Sequence, residues 1–162
     1  MNLINQLGVA LGEEAKVKDV DVLLGPTINI HRHPLGGRHF ESFSEDPFLT
    51  GKIATEYVKG VQSQNVAACL KHFIGNDTEY ERHLVSSNID EKTLREIYLL
   101  PFEMGVKEGN AQVVMSAYNK LNNIYCSSHK ELLIDILKDE WGFDGYVAVS
   151  YTHLTLPTML MV

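Results

Sequence analysis

Val66-Ala67-Ala68-Cys69-Leu70-Lys71-His72-Phe73-Ile74-Gly75-Asn76-Asp77 sets the fold of this chain. The run from Val66 to Leu70 is apolar and short, with Gln64-Asn65 before it and Gly75-Asn76-Asp77 after it. That is the pattern of a strand covered on both faces, as in a parallel sheet flanked by helices. Lys71 and His72 then place two ionisable side chains at the strand's end. A buried ammonium is costly unless an anionic or strongly polar group meets it. The pair therefore reads either as a salt-bridged lysine beside a core-satisfied histidine, or as part of a site.

Similar units lie on both sides. Leu3, Leu7, Ala10 and Leu11 recur at helical spacing ahead of the strand-like run Val20 to Leu24. A long, basic loop follows, holding His31, Arg32, His33, Arg38 and His39. Ser44 is the expected cap of the next helix, whose apolar stripe is Leu49, Ile53, Tyr57 and Val61. Beyond the central strand, a helix starting near Asp90 presents Leu94, Ile97, Tyr98, Phe102 and Val106, with a kink expected at Pro101. A strand from Gln112 to Ala117 ends in Ser116, Tyr118 and Asn119; a helix follows with Ser128 and Glu131 as its capping box and a stop at Gly142. The spacing predicts helices over 2–16, 46–64, 91–108 and 129–140, outside parallel strands over 20–25, 66–72, 112–117 and 145–149.

Composition bounds the function. The chain of 162 residues is 44% hydrophobic, enough for one domain with its own core. A formal charge of −7 argues against nucleic acid and against anionic membrane, since both require a clustered basic face. No apolar run approaches the roughly 18 residues of a membrane span. Cys69 and Cys126 lie far apart without metal-ligand spacing, so no metal and no cofactor is expected, and both read as buried thiols. The compartment stays open, cytoplasmic or secreted, because a chain cut at its N-terminus loses any leader.

Strands separated by single amphipathic helices make right-handed βαβ units, either in an open doubly wound sheet or in part of a (β/α)8 barrel. No glycine-rich phosphate fingerprint follows any strand, which removes support for a nucleotide-binding open sheet. The polar residues collect after successive strand ends, at Arg38, at Lys71-His72 and at Ser116-Tyr118, and in a barrel those loops share one mouth. The expected fold class is therefore α/β, a partial (β/α)8 TIM barrel with parallel strands and outer helices. A whole barrel takes about 250 residues, so four strands amount to roughly half of one.

Six segments give this reading a family. They are Leu24-Gly25-Pro26 with Asn29-Ile30-His31-Arg32; Gly37-Arg38 with Phe40-Glu41 and Ser44-Glu45-Asp46-Pro47; Lys71-His72-Phe73; Leu94-Arg95-Glu96-Ile97-Tyr98; Met115-Ser116-Ala117-Tyr118-Asn119; and Glu140-Trp141-Gly142-Phe143-Asp144-Gly145. In this order they resemble the N-terminal barrel domain of glycoside hydrolase family 3, the β-glucosidase and β-xylosidase family. The resemblance implies that Arg38, Lys71, His72 and Arg82 hydrogen-bond the hydroxyls of a sugar, with Met115 and Tyr118 lining the subsite. It also implies a non-proline cis peptide at Lys71–His72. Taken alone, Arg82 is an ordinary surface charge, Met115 in an apolar strand is more often core than pocket wall, and Arg32 fits a structural ion pair with Glu41 or Glu45. Ile74-Gly75-Asn76-Asp77 departs from the Pro-Gly-His-Gly continuation of the N-acetylglucosaminidase branch, which favours the glucosidase and xylosidase branch.

Where the family carries Ser-Asp-Trp, with the Asp as nucleophile of a retaining mechanism, this chain has Ser150-Tyr151-Thr152. No carboxylate follows Asp144, and Asp144 lies before the last strand, at the rim opposite the mouth. Residues 1–148 therefore read as a partial family 3 barrel domain and 149–162 as a non-family tail, artefactual or disordered. The resemblance further implies a sugar-binding Asp upstream of residue 1 and a general acid/base Glu in a missing C-terminal domain. The expected partner is a small-molecule or oligosaccharide substrate of a β-glucosidase-like parent, with the fragment itself inactive. The alternatives are a β-xylosidase or α-arabinofuranosidase parent, a non-catalytic sugar-binding module, or a phosphate-binding metabolic barrel.

Overall fold

The structure, a computed structural model, describes residues 1–149. Its elements in chain order are α1 (Asn2–Val17), β1 (Val22–Leu23), α2 (Pro47–Gln62), β2 (Ala67–Phe73), β3 (Ser86–Ser87), α3 (Glu91–Thr93), α4 (Leu100–Lys107), β4 (Val113–Ser116), β5 (Lys120–Leu121), β6 (Ile124–Tyr125) and β7 (Tyr146–Val149). Four strands form one sheet in the order β1-β2-β4-β7, and every pairing in it is parallel. This is the α/β arrangement expected from the spacing, with helices and strands close to the predicted spans. β1 is shorter than expected; only Val22 and Leu23 are ladder residues, and Thr27 makes a further parallel bridge to Lys71.

The two faces of the sheet differ. Ala68, Leu70 and Val114 join the main core under the helices, with Val58, Val61, Phe102 and Trp141. Phe73 anchors that core through edge-on contacts with Phe102 at 5.1 Å and Trp141 at 6.0 Å between ring centroids. Cys69, Val113 and Met115 point the other way and form a separate small cluster with Ala67 and Ala148. Alternation along β2 and β4 thus assigns Cys69 and Met115 to the inner face of the curved sheet. Both cysteines are free thiols that burial pushes up, Cys69 to about 12 and Cys126 to about 11.

Several local expectations are corrected. α1 does not bury its leucine stripe: Leu3 and Leu7 are exposed, and the face against α2 is Gly8, Gly12 and Ala15. A methyl group on Gly60 would stand 2.3 Å from the Asn5 carbonyl oxygen, and one on Gly8 would stand 2.6 Å from that of Tyr57. The helices cross with their backbones nearly touching, which hydrophobicity alone does not encode. α2 is capped by Asp46, whose carboxylate accepts from Phe48 and Leu49 N–H with Pro47 in the first turn, while the expected cap Ser44 accepts from Asp46 N–H. Its buried side carries Ala54, Val58 and Val61, leaving Leu49 exposed.

The expected capping box of Ser128 and Glu131 does not form, because the Ser128 hydroxyl donates to Tyr125 O at the end of a 3-10 turn. The kink expected at Pro101 takes the form of a π-helical stretch, Leu94–Leu99, between α3 and α4; Pro101 has no N–H to keep the ladder in α register. The segment Glu131–Glu140 is also π-helical and ends before Gly142, at φ +71°. A second small sheet, β3-β5-β6, was not anticipated from the sequence. Its hairpin turns at Asn122-Asn123, both at positive φ, the conformation that primed two-residue turns require.

Two outcomes follow from this packing. Gly60→Ala drives a methyl into backbone on α1, and is expected to destabilise the fold by about 1–3 kcal/mol, read as a lower denaturation midpoint. The outer edges of β1 and β7 carry exposed Val22, Tyr146 and Val149, and unprotected strand edges invite pairing with another chain. The isolated 162-residue chain is expected to self-associate with rising concentration in light scattering; a monodisperse monomer with one sharp melt contradicts this.

Candidate functional site

The site grows from the place where β2 stops behaving as a strand. Its register against β4 shifts between Lys71 and Phe73, so His72 has no ladder partner there. The Lys71–His72 peptide is cis, as the resemblance implied; Phe73–Ile74 and Gly25–Pro26 are cis as well. Asn29 fills the missing pairing. Its Nδ2 donates to the His72 carbonyl at 2.9 Å, and its Oδ1 accepts the His72 backbone N–H at 3.0 Å. Buried backbone groups need such partners, and a side-chain amide offers one donor and one acceptor in the spacing of a peptide.

The same Asn29 Oδ1 lies 3.3 Å from His72 Nδ1 and can only accept, so Nδ1 carries the proton. His72 Nε2 is thereby an acceptor, and the Arg38 guanidinium donates to it through Nη1 at 3.3 Å. The ring is buried, and burial, reinforced by the neighbouring charges of Arg38 and Lys71, lowers its pKa to about 3. The imidazole is neutral across the physiological range.

Glu41 ties these groups together. Its Oε1 accepts from Arg38 Nε at 2.6 Å, and its Oε2 accepts from Arg38 Nη2 at 2.8 Å and from the Thr27 hydroxyl at 2.9 Å. Lys71 Nζ stands 3.8 Å from Oε2, a charge contact rather than a hydrogen bond. The Arg38 bonds, aided by Thr27 and Lys71, hold the Glu41 carboxyl down at about 2. Arg38 is raised by the same pair. Arg38 and Glu41 bracket the short 3-10 turn His39–Glu41, so the ion pair closes the loop on itself.

On the other side, Arg82 pairs with Glu79 and lies over the Tyr118 ring, 5.3 Å from its centroid. His83 packs on the same ring at 4.5 Å. Arg82 is also within electrostatic reach of His72, and Tyr118 of Arg38, so the groups after β1, β2 and β4 occupy one region. Met115 pairs with Lys71 in the ladder and sits below it on the inner face, 6% exposed. Arg32 does not pair with Glu41 or Glu45; it faces Tyr98 and the buried Asp77, because Arg38 already fills Glu41. Burial raises the pKa of Asp77 to about 6, against the opposing effects of the Tyr98 hydroxyl beside it and of the Arg32 charge.

Sequence reading missed Asn29, Thr27, Glu41, Glu79 and His83 as parts of this arrangement. Two had a usable signal, since Arg38 with Glu41 and Glu79 with Arg82 are opposite charges three apart, the spacing of neighbours on a helical turn. Asn29 had none, because the gap it fills exists only in three dimensions. Asp144 lies in the turn before β7, beside Lys107, Asn110 and Trp141 around a pocket of about 220 Å³ at the opposite end of the sheet. Ser150 and Tyr151, where a nucleophile was sought, lie outside the described residues. Among the described residues no cluster of His, Cys, Asp and Glu could hold a metal ion, and no helix is long and apolar enough to cross a membrane.

Residues 1–155 match the model of the Glycosyl hydrolase family 3 N terminal domain. The chain is 54% identical over 159 residues to a β-glucosidase of Rhizobium radiobacter, covering 97% of this chain and 19% of that protein. It is also 54% identical over 149 residues to the thermostable β-glucosidase B of Acetivibrio thermocellus, covering 92% of this chain and 20% of that one. Among solved structures, β-glucosidase 3B from Thermotoga neapolitana in complex with α-D-glucose superimposes with a TM-score of 0.91 at 52% identity, over 92% of this chain and 21% of its own. The β-glucosidase from Kluyveromyces marxianus in complex with glucose gives 0.92 at 47% identity, over 94% and 18%. The chain spans about a fifth of the length of the curated relatives it matches. With a parallel four-stranded sheet, charged residues gathered after its strands, and a family match over residues 1–155, the chain belongs to glycosyl hydrolase family 3, of whose N-terminal domain it carries a part.

Proposed function

We propose that this chain forms the hydroxyl-binding part of the glycone pocket of a retaining β-glucosidase, with the reacting carboxylates supplied by the rest of the full-length protein. Arg38, Lys71, His72 and Arg82 are the hydrogen-bonding groups, and Met115 and Tyr118 the walls. The observation that carries the reading is the meeting of Arg38, Lys71 and His72 around Glu41 at the C-terminal end of β2. A sugar hydroxyl both donates and accepts; charged donors held in a partly dry pocket make strong, selective bonds to it, and leave an unpaired group when it is absent. The relatives' names as β-glucosidases, two of them solved with glucose, support glucose as the sugar.

The carboxylates near these groups support a binding rather than a reacting role for residues 1–149. A retaining glycosidase needs a nucleophile and an acid/base about 5–5.5 Å apart. Glu41 is an anion held by three hydrogen bonds with its pKa at about 2, which unsuits it to donate a proton near neutrality. Glu79 is held by Arg82.

Two outcomes test this. The 162-residue chain alone is expected to give no turnover of a nitrophenyl β-glucoside, whereas the full-length protein turns it over and its Lys71→Ala variant loses at least a tenfold in kcat/KM, the scale of one bond to a charged group. Turnover by the short chain that disappears with Lys71→Ala contradicts the division of labour. The second concerns His72, whose folded pKa of about 3 lies below the ordinary 6.5. Protons therefore bind the unfolded chain preferentially between those values. The stability owed to the neutral ring is full above pH 6.5 and is lost as pH falls toward 3. Long-range ¹H–¹⁵N NMR is expected to show His72 as the Nδ1–H tautomer, without titration between pH 8 and 5.

A further inference from the structure

We propose that Glu41 is the positioning residue of the pocket: it touches no sugar, and it fixes Arg38 and Lys71 in the geometry in which they bind one. This rests on the sugar-binding reading above and goes beyond it by assigning the group that holds the donors.

The argument is one of available donors and acceptors. A carboxylate offers about four acceptor positions. Three of those of Glu41 are taken, by Arg38 Nε and Nη2 and by the Thr27 hydroxyl, and Lys71 Nζ stands beside Oε2 at 3.8 Å. Little is left for a sugar hydroxyl. The count for Arg38 comes out the other way. A guanidinium has five N–H groups in a rigid fork. Three are spent, two on Glu41 and one on His72 Nε2, so two remain for a ligand, their directions set by the bidentate pair.

Electrostatics gives Glu41 a second task. Arg38, Lys71 and Arg82 all act on the neutral, buried His72, and like charges brought together in a partly dry region repel. Glu41 is 22% exposed at its side chain, against 27% for Arg38 and 16% for Lys71, so solvent screens these charges only partly. Without its charge the two cations are expected to separate, and Arg38 to lose the orientation that aims its free N–H groups. Thr27, which bridges Lys71 in the sheet, fixes the carboxylate in turn.

The test is carried out in the full-length protein with a nitrophenyl β-glucoside as substrate and glucose as competitive ligand. Glu41→Gln keeps shape and removes charge; it is expected to lower kcat/KM and weaken glucose binding by about 10- to 100-fold. Glu41→Asp, which keeps the charge at a shorter reach, is expected to recover part of the loss. The decisive reading is the pair with Arg38→Ala. If Glu41 acts through Arg38, the double variant is little worse than Arg38→Ala alone; if Glu41 merely supports the fold, the losses multiply. Should Glu41→Gln fold poorly, Thr27→Val removes a single donor to Glu41 and is expected to weaken glucose binding about threefold while the thermal midpoint holds. Wild-type glucose affinity in both Glu41→Gln and Thr27→Val, or fully multiplicative losses, overturns the role of Glu41 alone. Absence of β-glucoside turnover and of glucose binding in the wild-type full-length protein overturns the sugar-binding reading together with it.

Discussion

Asn29 stands where a neighbouring strand would otherwise be. β2 leaves its ladder at His72, and a buried residue with an unpaired N–H and C=O would cost several kcal/mol if nothing met them. One side-chain amide satisfies both, and the same oxygen fixes the His72 tautomer. From there the chain of consequence is short: His72 Nε2 must accept, Arg38 donates to it, Glu41 holds Arg38, and Thr27 and Lys71 hold Glu41. Every link is buried or half-buried, so solvent competes weakly with each.

The arrangement also explains why a lysine and a histidine tolerate the end of a buried strand. The two groups meet the cost of burial in opposite ways. His72 gives up its charge, through burial and the cations around it. Lys71 lies beside an anion whose own protonation is driven down to about 2. The inner face beneath them is apolar and narrow, made of Cys69, Val113 and Met115 with two alanines, so the charged residues sit at the rim of a dry interior. A parallel sheet delivers this without special design, because its strand ends all open on the same side.

What the sequence conveyed follows from which forces are local. The parallel strands and outer helices were legible because an apolar run bounded by polar residues and a 3.6-residue stripe each report burial one element at a time. The face of α1 was not, since it is set by how closely two backbones approach at Gly8 and Gly60. The caps misled where two candidates stood side by side: Asp46 outcompetes Ser44 because Pro47 follows it in the first turn, and Ser128 is consumed by Tyr125. Arg38, Lys71, His72 and Tyr118 stood out by their place after strand ends, whereas Arg82 and Met115 came from motif resemblance; Glu41 had a signal in its charge three residues from Arg38, and the supports Asn29 and Thr27 are visible only once the loop after β1 folds back over β2.

The two cysteines give this architecture a means of being watched. Cys69 lies under Lys71 on the inner face, fully enclosed, and Cys126 sits at the end of the β5–β6 hairpin against the Ile74 carbonyl. Burial suppresses the thiolate of each, and only the thiolate attacks a reagent, so neither reacts while its surroundings stay closed. Alkylation at Cys69 therefore times the parting of β2 and β4, and alkylation at Cys126 times the lifting of the hairpin. The molecule carries two clocks, one in its barrel wall and one at its rim, and their difference measures whether those parts open together.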